Sequence, residues 1–277
     1  MKLLTKHLDS IYLCDDRATR GNVGVIATDT GNYVIDTGMF PKTGKIILDD
    51  LNEIGNSSDK LAGTITTHYH LDHTGGNQIF AHKPIYAHKL AEENFGSYSQ
   101  EQIEKNWIND DTREDFEGFS LTGANSVYSE DVFSPPENND IVCYLVGGHT
   151  SGSVIIHYKP ENVVFAGDNL FAGLFPWGGD KTASPYQWIK AMEKIKSFNP
   201  TLVSPGHGSM QEDVSDVDNF RNYLVKVIET TKEMLKDNKS DEEIYSSLMS
   251  LPYHDPPRAL MKENSIKHWI QVIKDSQ

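Results

Sequence analysis

His68-Tyr69-His70-Leu71-Asp72-His73 puts four side chains able to bind a metal within six consecutive positions. The run follows Ala62-Gly63-Thr64-Ile65-Thr66-Thr67, an apolar, β-branched stretch that reads as a buried strand. On extended backbone, alternate side chains share a face, so His68, His70 and Asp72 are expected to point the same way. His73 falls where the chain must turn, because Gly75-Gly76 follows and Asn77 is placed to cap a short helix. Imidazoles and a carboxylate gathered in this way suit a borderline-soft divalent ion. Isolated histidines such as His7, His82, His88, His157, His254 and His268 read instead as ordinary core or surface residues. Burying the clustered ones together without a cation would leave several polar groups competing for few partners.

Three later segments share one form, an apolar strand that runs into a polar residue beside glycine. Ile141–Val146 leads to Gly147-Gly148-His149-Thr150, Val163–Ala166 to Gly167-Asp168-Asn169, and Leu202–Ser204 to Pro205-Gly206-His207-Gly208. Sites in α/β proteins collect at strand ends, where loops from separate parts of the chain converge. Glycine lets the backbone approach an ion closely.

Taken in order, His68-x-His70-x-Asp72-His73, then His149, Asp168 and His207, with Val34-Ile35-Asp36-Thr37-Gly38 upstream, resemble the metallo-β-lactamase superfamily over roughly residues 10–210. The resemblance implies an α/β fold of αββα type: two mixed β-sheets packed face to face, helices outside, and a metal cleft along one edge. It implies two metal positions. His68, His70 and His149 would hold the first ion, Asp72, His73 and His207 the second, and Asp168 would bridge them together with a water or hydroxide. Two cations roughly 3.5–4 Å apart repel, so bridging anions are needed between them. Asp72 is further expected to orient the nucleophile or receive a proton, and Asp36 to support a ligand or form a turn. Two divalent ions per chain are expected, zinc first, with iron or manganese as alternatives.

Departures within the superfamily narrow the activity. The bridging position is Asp168, where the best-known zinc β-lactamases place a cysteine or histidine in the second site. Flavodiiron members carry a glutamate where His70 stands. The expectation is a hydrolase of an activated carbonyl, a lactone, ester or thioester, with a β-lactam behind these. A mononuclear-iron persulfide dioxygenase is an alternative, and a nuclease a weaker one. A glutathione thioesterase is expected to carry a basic C-terminal patch. The tail mixes Arg258, Lys262 and Lys267 with many acids, so lactone or general ester cleavage is placed ahead.

The 277 residues suffice for one large domain with an appendage, and the net charge of −15 repels phosphate backbones. Nucleic acid is therefore not expected as a partner; a small molecule with a hydrophobic acyl part is, and a homodimer is compatible. The two cysteines, Cys14 and Cys143, make no disulfide framework, and Cys143 reads as a buried, inert thiol. The N-terminal residues lack a sustained apolar run and no stretch approaches a membrane span, so the expected address is the cytoplasm.

The catalytic domain is expected over 1–210, with an insertion at about 94–138 and a helical extension over 211–277. In the insertion, Glu101–Trp107 reads as a polar helix, with strand-like fragments near Phe119 and Val127. Trp107 with Phe116 or Phe119 is a candidate apolar wall over the metals. Helical periodicity marks 213–236, a second helix opens at Asp241, and a third follows Pro256-Pro257. The loop Asn169–Asp180 is unusually apolar, which makes Phe175 and Trp177 candidates for the pocket wall. Tyr69, Tyr128 and Tyr186 are candidates for stabilising an oxyanion.

Overall fold

The computed structural model describes residues 2–53, 60–136, 138–256 and 259–276. Its strands are β1 (Thr5–Lys6), β2 (Ile11–Cys14), β3 (Val23–Thr28), β4 (Gly31–Ile35), β5 (Leu61–Ile65), β6 (Ile85–His88), β7 (Ser126–Tyr128), β8 (Val132–Phe133), β9 (Ile141–Leu145), β10 (Val154–Tyr158), β11 (Val163–Phe171) and β12 (Leu202–His207). The helices are α1 (Asp16–Thr19), α2 (Pro41–Glu53), α3 (Leu71–Thr74), α4 (Asn77–Phe80), α5 (Lys89–Phe95), α6 (Gln100–Trp107), α7 (Pro185–Ser197), α8 (Ser215–Lys236), α9 (Asp241–Met249) and α10 (Ala259–Asp275).

One sheet has seven strands in the order β1 to β7, the other five in the order β12-β11-β10-β9-β8. The first is antiparallel from β1 to β4 and parallel from β4 to β7. In the second only β11 and β12 run parallel. Both sheets are therefore mixed, as expected.

Alternation along the strands decides which face each side chain buries. In β4, Tyr33 and Ile35 point inward while Val34 faces out; in β11, Val163 and Phe165 point inward while Val164 and Ala166 face out. Inward residues of both sheets, among them Ile11, Ile26, Ile65, Cys143 and Ile156, form the layer between the sheets. The outer face of the first sheet packs on Ile47 and Leu51 of α2. That of the second is covered by α7, α8, α9 and α10, with Trp188 and Trp269 fully buried. This is the two-sheet sandwich flanked by helices that the family resemblance implied. The helices after His207 share one apolar cluster with β11, so they complete the second sheet's outer layer.

Local sequence signals account for the helix ends. Ser184 accepts the N–H of Gln187 ahead of Pro185 in the first turn of α7. Ser240 and Glu243 form a reciprocal capping box on α9. Residues 94–138 contain α6, β7 and β8, and carry the chain from an edge of one sheet to an edge of the other.

Some local readings are corrected. Strand β5 stops at Ile65, so His68 and His70 lie in the following loop and Asp72 and His73 in α3, not along one face of a strand. The N-cap of α4 is Gly76; the Asn77 side chain instead accepts from Thr37 Oγ1 and donates to Thr122 O. Phe119 lies outside any strand, whereas Val127 is in β7. No helix of the described residues is long and apolar enough to cross a membrane.

Candidate metal centre

The donor side chains meet where strands of both sheets end. His68 and His70 leave β5, Asp72 and His73 sit on α3, His149 follows β9, Asp168 lies within β11 and His207 closes β12. Parallel pairing of β11 with β12 brings the last two together. The sharp turn before His149 is made by Gly147 and Gly148, at φ of 66° and 97°, which glycine tolerates without strain.

Two groups form, His68, His70, His149 and Asp168 in one and Asp72, His73 and His207 in the other, with donor atoms within 4.8 Å of one another in each. His70 Nδ1 lies 3.0 Å from His68 Nε2 and 2.9 Å from His149 Nε2. Asp168 stands between the groups. Its Oδ2 is 3.4 Å from His149 Nε2 and 3.4 Å from His207 Nε2, and its Oδ1 is 2.9 Å from His73 Nε2. Asp72 Oδ2 is 3.4 Å from His207 Nε2. The structure thus brings together all seven residues singled out in the sequence.

Partners behind the rings assign the protons. Thr67 donates its hydroxyl to Asp36, at 2.7 Å, and so is left to accept from Nδ1–H of His68, at 3.1 Å. His70 Nε2 faces Asp180 Oδ2 at 3.0 Å, and His73 Nδ1 faces Asp36 Oδ2 at 2.8 Å. The Thr67 and Asp180 contacts fix the tautomers of His68 and His70 and turn the opposite nitrogens' lone pairs toward the cluster, while Asp36 orients the ring of His73. Lone pairs of His68 and His70 therefore confront each other at 3.0 Å, a repulsive arrangement that a cation between them converts into coordination. Tetrahedral ligands at 2.0–2.1 Å from zinc lie about 3.3 Å apart, close to the spacing found. The donor set fits divalent metal ions.

The electrostatics of the two groups differ. Burial holds His68 well below the ordinary histidine value and His149 down to about 3, so both rings stay neutral. Burial also opposes charge on His73, but Asp168 and Asp36 outweigh it and push the group up to about 10. His207 rises likewise against its burial, through Asp168, Asp16 and Asp72. Burial works against the Asp72 carboxylate, yet His207 and His73 hold it at about 2. A cation in the second group takes the place of these protons.

Sequence reasoning missed Asp180 and Asp16. Asp180 Oδ2 takes the His70 contact and the Tyr69 hydroxyl, while Oδ1 accepts from Thr182 N at 2.7 Å and Oγ1 at 2.6 Å. Asp16 lies 3.5 Å from His207 Nδ1. Asp180 follows Gly178-Gly179, the same acid-beside-glycine form as Asp168, and that signal was available; Asp16 has none. Asp36 is buried and contacts Thr67 and His73 as a supporting group.

Aromatic residues frame the centre. The Trp177 ring is 5.2 Å from His70 and 5.9 Å from His149, and Phe171 stacks on His207 at 5.0 Å. Trp177 is thus at the site, whereas Phe175 is fully buried against Tyr223, Tyr253 and Trp269 and belongs to the helical layer. Trp107 is 51% exposed, and Phe116 packs edge-on against Phe40 and Phe119 in an apolar cluster with Leu71. Tyr69 is engaged with Asp180, Tyr128 stacks on Phe133, and Tyr186 accepts from Ser276. The Tyr98 ring lies 5.6 Å from that of Tyr69.

A family model described as the metallo-beta-lactamase superfamily matches residues 16–207. A hydroxyacylglutathione hydrolase of Shewanella loihica is 25% identical over 251 residues, 88% of this chain and 85% of its own length. An atrochrysone carboxyl ACP thioesterase of Aspergillus fumigatus is 22% identical over 244 residues, 83% of this chain but 50% of the relative. Among solved structures, the DIM-1 metallo-beta-lactamase superimposes with a TM-score of 0.61 at 17% identity, over 80% of this chain and 96% of that one. By its sequence, its two-sheet sandwich and its clustered histidines and aspartates, the chain belongs to the metallo-beta-lactamase superfamily.

Proposed function

We propose that the chain is a dinuclear metal-dependent hydrolase of activated carbonyl bonds, acting on a thioester, lactone or ester with a hydrophobic acyl part. His68, His70 and His149 would hold one divalent cation, Asp72, His73 and His207 a second, and Asp168 would face both. Zinc is the metal of this reading; when bound it supplies hydroxide near neutral pH and polarises the carbonyl.

The observation that carries the proposal is the convergence of lone pairs from His68 and His70, set by Thr67 and Asp180, beside the indole of Trp177. The chain's own groups then have separate tasks. Asp72, an ionised carboxylate among the donors, would accept a proton from the attacking water. Trp177 offers an apolar face for the acyl part. Asp168 holds the two donor groups in register.

The relatives named above act, by their names, on glutathione and acyl-carrier thioesters, which raises the thioester to equal rank with the lactone. Two of the tail cations are already engaged: Lys262 donates to Met249 O and Leu251 O, and Lys267 pairs with Glu263. Arg258 lies outside the described residues. That arrangement supports recognition through the acyl group over recognition through a charged thiol carrier.

The test is elemental analysis of protein purified without added metal, joined to turnover on acyl thioesters and lactones of increasing chain length. Two equivalents of metal and chelator-sensitive hydrolysis that improves with chain length are expected. Turnover indifferent to chelation, or one iron with oxygen consumption on a persulfide, overturns the proposal.

A further inference from the structure

His207 is the least enclosed of the donor histidines: its side chain is 15% exposed, against 9% for His70 and 0% for His73 and His149. It also stands at the last position of β12, its carbonyl accepting the N–H of Ala172 at 2.9 Å, and the chain beyond it takes its support from outside the strand ladder. That support comes from a distant part of the chain, the arch Asp15–Asn22 between β2 and β3. Asp16 Oδ2 accepts the N–H of Gly208 at 3.2 Å and lies 3.5 Å from His207 Nδ1. The Asp16 N–H donates to Asn22 Oδ1 at 2.8 Å. Asn22 Nδ2 donates to Pro205 O and to Gly208 O, each at 2.8 Å, and Asn22 N donates to Gly206 O at 2.7 Å. Backbone on both sides of His207 is thus tied to one short segment.

The same arch meets the other half of this donor group. A methyl group added at Gly21 would stand 2.6 Å from Asp72 O and 2.8 Å from His73 Cε1. The arch is therefore packed directly against the backbone of Asp72 and the ring of His73. The His68, His70 and His149 group draws its support elsewhere, from Thr67, Asp180 and Asn169.

We propose that Asp16 and Asn22 position His207, and through it set the affinity of the Asp72, His73 and His207 group separately from that of the first group. This rests on the two-cation reading above. A carboxylate behind the far nitrogen of a ligating imidazole fixes its orientation and raises its basicity, and losing such a partner typically weakens metal binding about 10–100-fold. The arch meets the donors Asp72, His73 and His207 directly, so the loss falls on the second cation.

The test titrates zinc into the chelator-treated full-length chain and into Asp16→Asn and Asn22→Ala, by calorimetry and by elemental analysis after dialysis against buffered zinc. The unfolding temperature of each metal-free protein is measured alongside. For Asp16→Asn the expected result is a first equivalent within about twofold of the parent and a second weakened about 10–100-fold. Its metal-free unfolding temperature should stay at that of the parent. Asn22→Ala should weaken the second equivalent at least as much. Equal loss of both equivalents together with a lower metal-free unfolding temperature in Asp16→Asn means a merely structural role and overturns the proposal. So does parental binding of both equivalents by Asp16→Asn, which leaves the two-cation reading standing. A parent that takes up a single equivalent overturns both.

Discussion

Replacing Gly206 by alanine should dislodge Asp168, the carboxylate that faces both donor groups. A Cβ at this position would stand 1.9 Å from Asp168 Oδ1 and 2.7 Å from both Asp168 N and Gly167 C. Non-bonded heavy atoms settle roughly 3.5 Å apart, so the carboxylate has to retreat by more than about 1 Å. The backbone contacts leave little room for β12 to move instead, since Pro205 and His207, on either side of Gly206, are registered with Gly167 and Phe171 of β11. Retreat pulls Oδ1 from its position 2.9 Å from His73 Nε2. Forcing a methyl group into packed surroundings costs about 1–3 kcal/mol in the metal-free protein. Weakening metal affinity 100-fold removes about a further 2.7 kcal/mol from the metal-loaded form, or roughly 5–10 °C of metal-dependent stabilisation. The assay is thermal unfolding with zinc and with chelator, together with metal content after dialysis. Gly173→Ala serves as the control: its φ is +68°, but nothing lies within 4 Å of the added methyl, so it should cost about 1 kcal/mol with metal content unchanged. A Gly206→Ala protein that keeps the parental metal content and the full zinc-dependent rise in unfolding temperature would refute the reasoning.

Asp180→Ala should lower metal affinity or kcat/KM about 10–100-fold, because it frees both His70 and Tyr69; unchanged values in both measurements would count against that role. Trp177→Ala is expected to raise KM more than it lowers kcat, and most for the longest acyl chains; a uniform effect across chain lengths would contradict an acyl-facing indole. Burial raises the Cys14 thiol to about 11 and the Cys143 thiol to about 12. A raised value keeps the thiol protonated and unreactive, so neither should modify with a disulfide reagent at pH 8 until denaturant is added, and rapid native labelling would show the burial to be wrong. Ser240→Ala should destabilise the protein by about 1 kcal/mol through loss of the α9 capping box while leaving turnover at the parental value, measured by denaturant unfolding and steady-state kinetics.

Which residues could hold a metal was legible from the chain alone. The donors announce themselves by type and spacing: an imidazole-rich run after a β-branched stretch, and three further strands each ending in a polar residue beside glycine. Helical periodicity likewise marked α8, α9 and α10 near their observed limits. What stayed hidden depends on contacts far apart in sequence. His70 meets Asp180 across 110 residues, and Asp16 meets Gly208 across 192; the glycines before Asp180 mark the residue, but no local pattern encodes either contact. Phe175 and Trp177 occupy one apolar loop two positions apart, yet one is buried in the helical layer and the other faces His70 and His149. Composition could not separate them, since both are large and apolar and only the packing of α8 and α10 decides which is covered. The sequence by itself specified the donor set, because that is a property of residue type and spacing, and through its resemblance to a known family it implied the two facing sheets. The tertiary structure alone decided which ring nitrogen each histidine presents and what braces it, because a tautomer is chosen by the partner behind the ring, and those partners arrive only when the chain closes on itself.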